Sequence, residues 1–306
     1  MDLSIIIVSW NTKKLIVRCL ESIFKFTKGI SFEIIVVDNA SSDNTEQIIK
    51  KFPEVELIQN RKNLGFGTAN NQGIKIAKGR YLCFLNPDTF LVENSFEKLV
   101  KYLDTKPKVG VLGPKLLNPD KSSQQSVGFF PHLPQVFWWM TFIDDLPFGE
   151  KLKPYHVDHD RFYQKEQQVD WVTGAVMVVR REVFDKVNGF DENVFLYGEE
   201  WELCFRIKKQ GFEVLYTPVT KIVHLGRASM QSANIGAITG EYKAILYFYQ
   251  KHKTKLEKFF VLILLKMGAL LRILVFGLIL RRKELLKTYW SAFQNPDKLT
   301  LAFGES

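Results

Sequence analysis

Leu3-Ser4-Ile5-Ile6-Ile7-Val8-Ser9-Trp10-Asn11 opens the chain, and Phe32-Glu33-Ile34-Ile35-Val36-Val37-Asp38-Asn39-Ala40-Ser41-Ser42-Asp43 follows after one intervening segment. Both are β-branched apolar runs that end in polar residues. Between them, Leu15, Ile16, Cys19, Leu20, Ile23 and Phe24 recur at helical spacing over residues 12–26. Strand, helix and strand in that order predict a right-handed crossover and a parallel pair. The alternation continues outward. Residues 42–52 read as a helix with Asp43 and Glu46 in its first turn, Val55–Gln59 as a strand, and 67–77 as a helix stopped at Gly79. Tyr81–Leu85 is a strand, 95–103 a helix and 109–113 a strand. The expected fold class is α/β, with a mostly parallel central sheet flanked by helices. Ligands of such sheets bind at the carboxyl ends of the strands. Ser9, Asn11, Asp38, Asn39, Asn86 and Asp88 all fall there.

Residues 114–170 are rich in proline and aromatics with weak periodicity, and read as an irregular insertion that shapes a pocket. Strand character resumes over 169–179. Residues 199–210 form a helix that ends at Gly211, and 213–216 and 221–224 form two short strands. Residues 235–252 are helical, and 259–280 are a mostly apolar run interrupted by Lys266 and Arg272. The expected division is one domain over 1–232, in two halves at 1–113 and 114–232. A basic helical region over 233–306 follows.

The chain has 306 residues, 46% of them hydrophobic and 25% charged, which suits a globular protein with a sizeable core. Its three cysteines, Cys19, Cys83 and Cys204, are far apart and form no metal or disulfide pattern, which fits a reducing compartment. Met1 and Asp2 lead straight into the first apolar run with no basic segment or cleavage site, so the catalytic part is expected in the cytosol.

Five constellations carry chemistry. In Val36 through Asp43, a strand-end carboxylate can accept from a pyrimidine imide or a ribose hydroxyl, and the plainer alternative is a turn and a helix start. In Asn63 through Asn71, glycine permits close backbone approach and a helix N-terminus offers N–H groups to an anion. The spacing is not that of a P-loop. In Asn86-Pro87-Asp88, the carboxylate can hold a divalent cation against a diphosphate, although the tripeptide alone reads as a turn. Phe190 through Glu202 sets Glu199, Glu200 and Glu202 among Tyr197 and Trp201 at a helix start. An acid half-buried there suits a general base, and dipole or capping service is the alternative, above all for Glu202. His224 follows a strand, where a lone histidine is more often structural; proximity to Asp88 would change that reading.

Together these pieces resemble the family 2 inverting glycosyltransferases of the GT-A fold, nearest to the bacterial branch that includes rhamnosyltransferases of cell-surface polysaccharide synthesis. Five segments over about residues 3–230 match in the family's order. The resemblance implies a nucleotide-sugar site of Ser9, Trp10, Asn11, Asp38, Asn39, Asn63, Gly65, Phe66, Asn70 and Asn86, with Asp38 on the base. It implies that Asp88, with His224, holds Mg2+ or Mn2+ against the diphosphate. Trp171, Gly174 and Arg227 would line the acceptor side. Glu200 stands where the family places its catalytic Asp, and Glu199 is the alternative base. The chain departs from the family twice, with Asn86 for the first Asp of Asp-x-Asp and Glu-Glu-Trp-Glu for Glu-Asp-x-Asp. The implied reaction moves a sugar, rhamnose from dTDP-rhamnose first, to a saccharide or lipid-linked saccharide. A sugar nucleotidyltransferase and a catalytically decayed carbohydrate-binding membrane protein are the alternatives.

The net charge is +9. Residues 251–287 hold ten of the 42 basic residues and two of the 33 acidic ones, and so carry eight of the nine net charges. Basic charge gathered around an apolar run points to an anionic membrane surface instead of nucleic acid. Lys266 near the middle of the run argues against a simple span, since a central charge costs roughly 2.5–3.5 kcal/mol on insertion scales. A shallow in-plane helix on the inner face of the cell membrane is expected. A core-facing helix, or one that forms a homodimer, is the alternative.

Overall fold

The computed structural model describes residues 1–226, 233–279, 281 and 283–294. Their packing forms two units. The first comprises residues 1–128, 159–195 and 199–226, and the second comprises 129–158, 196–198 and the described residues beyond 232.

The first unit is built on one mixed sheet. β1 (Leu3–Ser9), β2 (Phe32–Asp38), β3 (Val55–Gln59) and β4 (Tyr81–Leu85) are parallel, in the order β3-β2-β1-β4. The chain steps outward from β1 to β3, then crosses to the other side of β1. That reversal lies between β1 and β4, and it opens a crevice outside their carboxyl ends. β5 (Thr89–Leu91), β6 (Val109–Leu117), β7 (Val127–Gly128), β8 (Gln167–Val169), β9 (Trp171–Val172), β10 (Val176–Arg180) and β11 (Glu213–His224) follow. β10 runs antiparallel between β4 and β6, β11 runs parallel to β6, and β5 closes the far edge antiparallel to β11.

Helices cover the sheet through narrow apolar faces. α1 (Lys13–Phe26) buries Ile16, Cys19, Leu20 and Ile23, which recur on one helical face. α2 (Thr45–Ile49) is shorter than the expected 42–52, because Asn44 takes a left-handed φ of 64° and delays the first turn. α3 (Phe66–Ile76), α4 (Ser95–Asp104), α6 (Arg181–Lys186) and α7 (Glu199–Lys209) complete the layer, α5 belonging to the second unit. The core beneath holds Ile5, Ile7, Ile34, Val36, Cys83 and Leu85 from the parallel strands.

Three expectations are corrected. β6 does not stop at Gly113 but runs through Pro114 to Leu117. Proline cannot donate to a ladder, and it survives here because β11 shifts register between Thr217 and Lys221, opposite Pro114 and Lys115. The same irregularity joins the two expected strands at 213–216 and 221–224 into one. The expected strand at 169–179 is instead three short ones, β8, β9 and β10.

The second unit is helical. It contains α5 (Leu133–Thr141), α8 (Ala233–His252), α9 (Lys255–Arg272) and α10 (Lys283–Gln294), with π-helical turns at Ile273–Ile279. The 114–170 stretch is therefore not wholly irregular, since it supplies α5. Thr254 and Glu257 form a capping box that starts α9. Gly268 lets α9 close on α5, because a Cβ there would stand 2.7 Å from Met140 Cβ. Arg272 is buried; it donates to the carbonyls of Trp139 at 2.7 Å and Met140 at 2.9 Å. The arginine that interrupts the apolar run thus serves the protein interior.

Candidate functional site

The crevice at the reversal point begins with β1 and β2. Asn39 N–H donates to the Ser9 carbonyl at 2.7 Å, which extends the β1–β2 pairing past the strand ends. Asp38 is buried and accepts from Ser41 Oγ at 2.5 Å. Burial raises its pKa and the Ser41 hydrogen bonds oppose that rise. Asn11 holds the facing loop: its N–H donates to Ser41 Oγ and its Oδ1 accepts from Ser42 N–H, both at 2.8 Å. Asp43 accepts from Lys13 N–H and Thr45 N–H, so it braces two helix starts. Ser9 Oγ is paired with Thr12 Oγ1 at 2.6 Å, and Trp10 is half-buried.

Asn39 ties this corner to the glycine loop. Its Nδ2 donates to Asn63 Oδ1 and the Gly65 carbonyl, and its Oδ1 accepts from Asn60 Nδ2 and Leu64 N–H. With every amide position used, Asn39 builds the loop that shapes the crevice. Gly65 has φ 82°, and a Cβ on it would stand 2.4 Å from the Phe195 carbonyl oxygen, so only glycine fits. Phe66 N–H donates to that same carbonyl at 3.0 Å. Asn70 is buried and donates to the Phe66 carbonyl, while its Oδ1 has no partner among the described residues. The Phe66 ring abuts Gly174, whose missing side chain leaves room for it.

Asn86-Pro87-Asp88 turns out of β4. Asn86 N–H donates to the Ala175 carbonyl at 2.9 Å, and the Asn86 carbonyl accepts from Thr89 N–H and Oγ1. β5 then pairs with β11, with Thr89 opposite His224, and Leu225 N–H donates to the Asp88 carbonyl at 3.0 Å. That pairing sets His224 Nε2 3.2 Å from Asp88 Oδ1, and both residues are largely buried. Asn86 Nδ2 lies 3.5 Å from the same nitrogen. Gln124, which the sequence reading missed, sits on the other side of the ring, its Oε1 2.6 Å from His224 Nδ1.

No group of three or more His, Cys, Asp or Glu side chains gathers among the described residues. Asp88 and His224 are an incomplete ligand set by themselves. One carboxylate and one imidazole, facing each other across 3.2 Å, fit a hard divalent cation whose other positions are filled by substrate phosphate oxygens.

α7 begins after Tyr197 at φ 66° and Gly198 at φ 98°. A left-handed tyrosine is strained by about 1–3 kcal/mol, and such strain gathers at functional sites. Glu199 is buried, and its Oε2 has no hydrogen-bond partner among the described residues. Burial, and then the Glu200 charge, raise its pKa well above the ordinary 4.5. Glu200 is half-buried. Glu202 is fully buried against Arg206 at 2.7 Å, and Arg206 also donates to the Val187 carbonyl. Glu202 is thus a structural acid. Trp171 is buried in the β7–β9 ribbon, opposite Gly128. Arg227 lies outside the described residues.

Residues 4–187 match the profile described as Glycosyl transferase family 2. The chain belongs to that family. Residues 156–230 also match the profile described as the N-terminal domain of galactosyltransferase, and this second stretch holds Glu199, Glu200 and His224. Over 203 residues, this family 2 chain is 30% identical to an N-acetylglucosaminyl-diphospho-decaprenol L-rhamnosyltransferase of Mycobacterium tuberculosis. That match covers 62% of the chain and 66% of the relative, just under two thirds of its length. It is 29% identical over 228 residues to the rhamnosyltransferase WbbL of Escherichia coli, covering 72% of the chain and 82% of WbbL. The glycosyltransferase fold extends to a solved mannosyltransferase of Pyrobaculum calidifontis, at TM-score 0.56 and 17% identity, with 96% of this chain and 84% of that one covered.

Proposed function

We propose that this chain transfers a sugar, rhamnose from dTDP-rhamnose first, to a hydroxyl of a saccharide or lipid-linked saccharide, with inversion and with a divalent cation. The observation that carries the reading is the Asp88–His224 pair, set by backbone pairing just outside the carboxyl end of β4. The names of two relatives, both rhamnosyltransferases and one acting on a decaprenol diphosphate, support the donor and acceptor classes. The Pyrobaculum mannosyltransferase was solved with GDP-Man and Mn2+, which supports a nucleotide diphosphate sugar and a cation.

Asp88 and His224 would hold the cation, Mg2+ or Mn2+, and when bound it would supply positive charge against the departing diphosphate. Asp38, at the end of β2, accepts from the base or ribose. Asn39 and Asn63 hold the loop that offers the α3 N-terminus to the phosphates. Glu200 takes the proton from the acceptor hydroxyl. The acceptor oxygen then bonds to the anomeric carbon as the bond to the diphosphate breaks on the opposite face. Burial and the Glu200 charge raise the pKa of Glu199, which favours its neutral form beside Glu200. One neutral and one ionised carboxyl avoid burying two adjacent negative charges.

The outward face of α9 supports a membrane-bound acceptor. Leu256, Phe259, Phe260, Ile263, Met267 and Leu270 are all exposed and share one side of the helix, while Val261, Leu265 and Ala269 are buried on the other. At 100° per residue, Lys255 and Lys266 both fall on the same edge of that stripe. An apolar stripe edged by lysines suits a helix lying in the interface of an anionic bilayer on its cytoplasmic side. Lys255–Gly277 is also long and apolar enough to cross a membrane.

A thermal-shift screen of nucleotide sugars with Mn2+ or Mg2+ tests the central reading, because selective binding raises stability by mass action. A metal-dependent upward shift with dTDP-rhamnose is expected. No shift with any nucleotide sugar would overturn it.

A further inference from the structure

We infer that Gln124 is a positioning residue for His224, holding the imidazole in the tautomer that turns the Nε2 lone pair toward Asp88. The inference rests on the metal-binding reading above and adds to it a residue outside the motifs.

Local folding explains why a glutamine this far from β11 reaches it. After β6 the chain turns back at Asn118, with Lys121 N–H donating to the Asn118 carbonyl at 2.9 Å. Gln124 N–H then donates to the Leu116 carbonyl at 2.9 Å, so Gln124 lies alongside the end of β6. Leu116 and Leu117 pair with Ile222 and Val223 of β11, which puts the returning segment beside His224.

The orientation of the Gln124 amide is fixed by its partners. Its amide nitrogen, Nε2, donates to the His224 backbone carbonyl at 3.1 Å and to Asn118 Oδ1 at 2.8 Å. A backbone carbonyl only accepts, so the atom facing it must be the NH2. Asn118 is oriented in the same way, since its Nδ2 donates to the Ser123 carbonyl and to Ser122 Oγ. The remaining atom of Gln124, Oε1, can only accept, and it stands 2.6 Å from His224 Nδ1. Nδ1 therefore carries the proton. A neutral ring then presents the Nε2 lone pair to the side where Asp88 Oδ1 stands 3.2 Å away. Two electron-rich atoms facing one space make a cation site. In metalloproteins the group bonded to the far nitrogen of a ligating histidine fixes its tautomer, and its loss typically lowers metal affinity about 10- to 100-fold.

The test compares the full chain with Gln124→Leu, which has no acceptor, and Gln124→Glu, which keeps one. Mn2+ binding is measured by electron paramagnetic resonance with dTDP present, and the His224 tautomer by long-range 1H–15N correlation without metal. The wild type is expected to show the Nδ1–H tautomer and to bind Mn2+. Gln124→Leu is expected to lose that tautomer and to bind Mn2+ about 10- to 100-fold more weakly, and Gln124→Glu to stay within a few-fold of wild type. If Gln124→Leu does not fold, Gln124→Met replaces it with the same expected result. An Nε2–H tautomer in the wild type, or unchanged Mn2+ affinity in the acceptor-free variant, overturns the inference. Failure of the wild type itself to bind Mn2+ sinks the metal reading instead, and the tautomer comparison then decides the role of Gln124 alone.

Discussion

His224 Nε2 lies 3.2 Å from Asp88 Oδ1, and the pairing of His224 with Thr89 across β11 and β5 keeps it there. Backbone pairing brings the two residues together, and Gln124 holds the imidazole. Replacing one ligand should therefore leave the second in place and the sheet intact. Asp88→Ala is expected to lower kcat/KM by roughly a thousandfold, on the several kcal/mol that charge neutralisation contributes. His224→Ala should lose less, with activity partly restored at high Mn2+. Steady-state kinetics across a Mn2+ titration measure both, and full activity of Asp88→Ala would remove Asp88 from the site.

The two glutamates at the start of α7 should respond differently to the same change. Glu200→Gln is expected to lower kcat about 10²- to 10⁴-fold, the usual contribution of a general base, with donor binding retained. Glu199→Gln replaces a buried acid, whose raised pKa favours the neutral form, by a neutral isostere, and should keep kcat within about tenfold of wild type. The reverse pattern would make Glu199 the base.

Glu199 also makes stability depend on pH. Its pKa is raised in the folded chain, so above the ordinary 4.5 the unfolded chain gives up this proton first. The contribution of Glu199 is therefore fully present below that value and is lost as pH rises through the folded pKa. Melting curves should show Glu199→Gln gaining on wild type as pH increases from the acid side. Parallel curves across that range would contradict a raised pKa.

Arg272 is expected to be a stability residue despite its place in an apolar helix. Arg272→Met leaves the Trp139 and Met140 carbonyls without that donor, at about 1–3 kcal/mol for each buried unsatisfied group. Chemical denaturation should show the loss. An unchanged midpoint would mean that water replaces the guanidinium.

The exposed stripe of α9 predicts salt-sensitive sedimentation with vesicles containing phosphatidylglycerol, and weaker sedimentation with phosphatidylcholine alone. Exchanging Phe259, Phe260 and Met267 for serine should abolish it. If the triple variant still sediments, the stripe is not the lipid face; if it changes from dimer to monomer, the occupant is a second copy of this chain.

Much of the first unit is legible in the sequence because β1, β2 and β4 are largely buried apolar runs and the helices are amphipathic. Leu3–Ser9, Phe32–Asp38, Val55–Gln59 and Tyr81–Leu85 stand where their apolar runs predict. Asn44 was not legible as a break, since an asparagine tolerates both helical and left-handed backbone. Nor was the continuity of β11, because its two prolines' worth of irregularity, Pro114 across from it and Pro218 within it, reads locally as two strand ends. At the site, Asp88 and His224 were visible as motif residues. Their adjacency followed from the family resemblance and not from local pattern, because it depends on β5, a strand of three residues with no periodic signal. Gln124 carried no signal, since its role comes from a turn that returns the chain alongside β6.

The strand order β4-β10-β6 has a consequence for how the protein is made. β4 and β6 emerge from the ribosome early, yet neither pairs with the other; the strand between them is translated more than fifty residues later on the scale of any hairpin-sized loop. Until β10 arrives, the nascent chain carries one open edge on β4 and a β6 with neither partner, and such edges invite aggregation. β11 and its histidine come later still. Synthesis therefore supplies Asp38, Asn39 and Asp88 before Glu200 and His224, and a chain released early would hold the former without the latter.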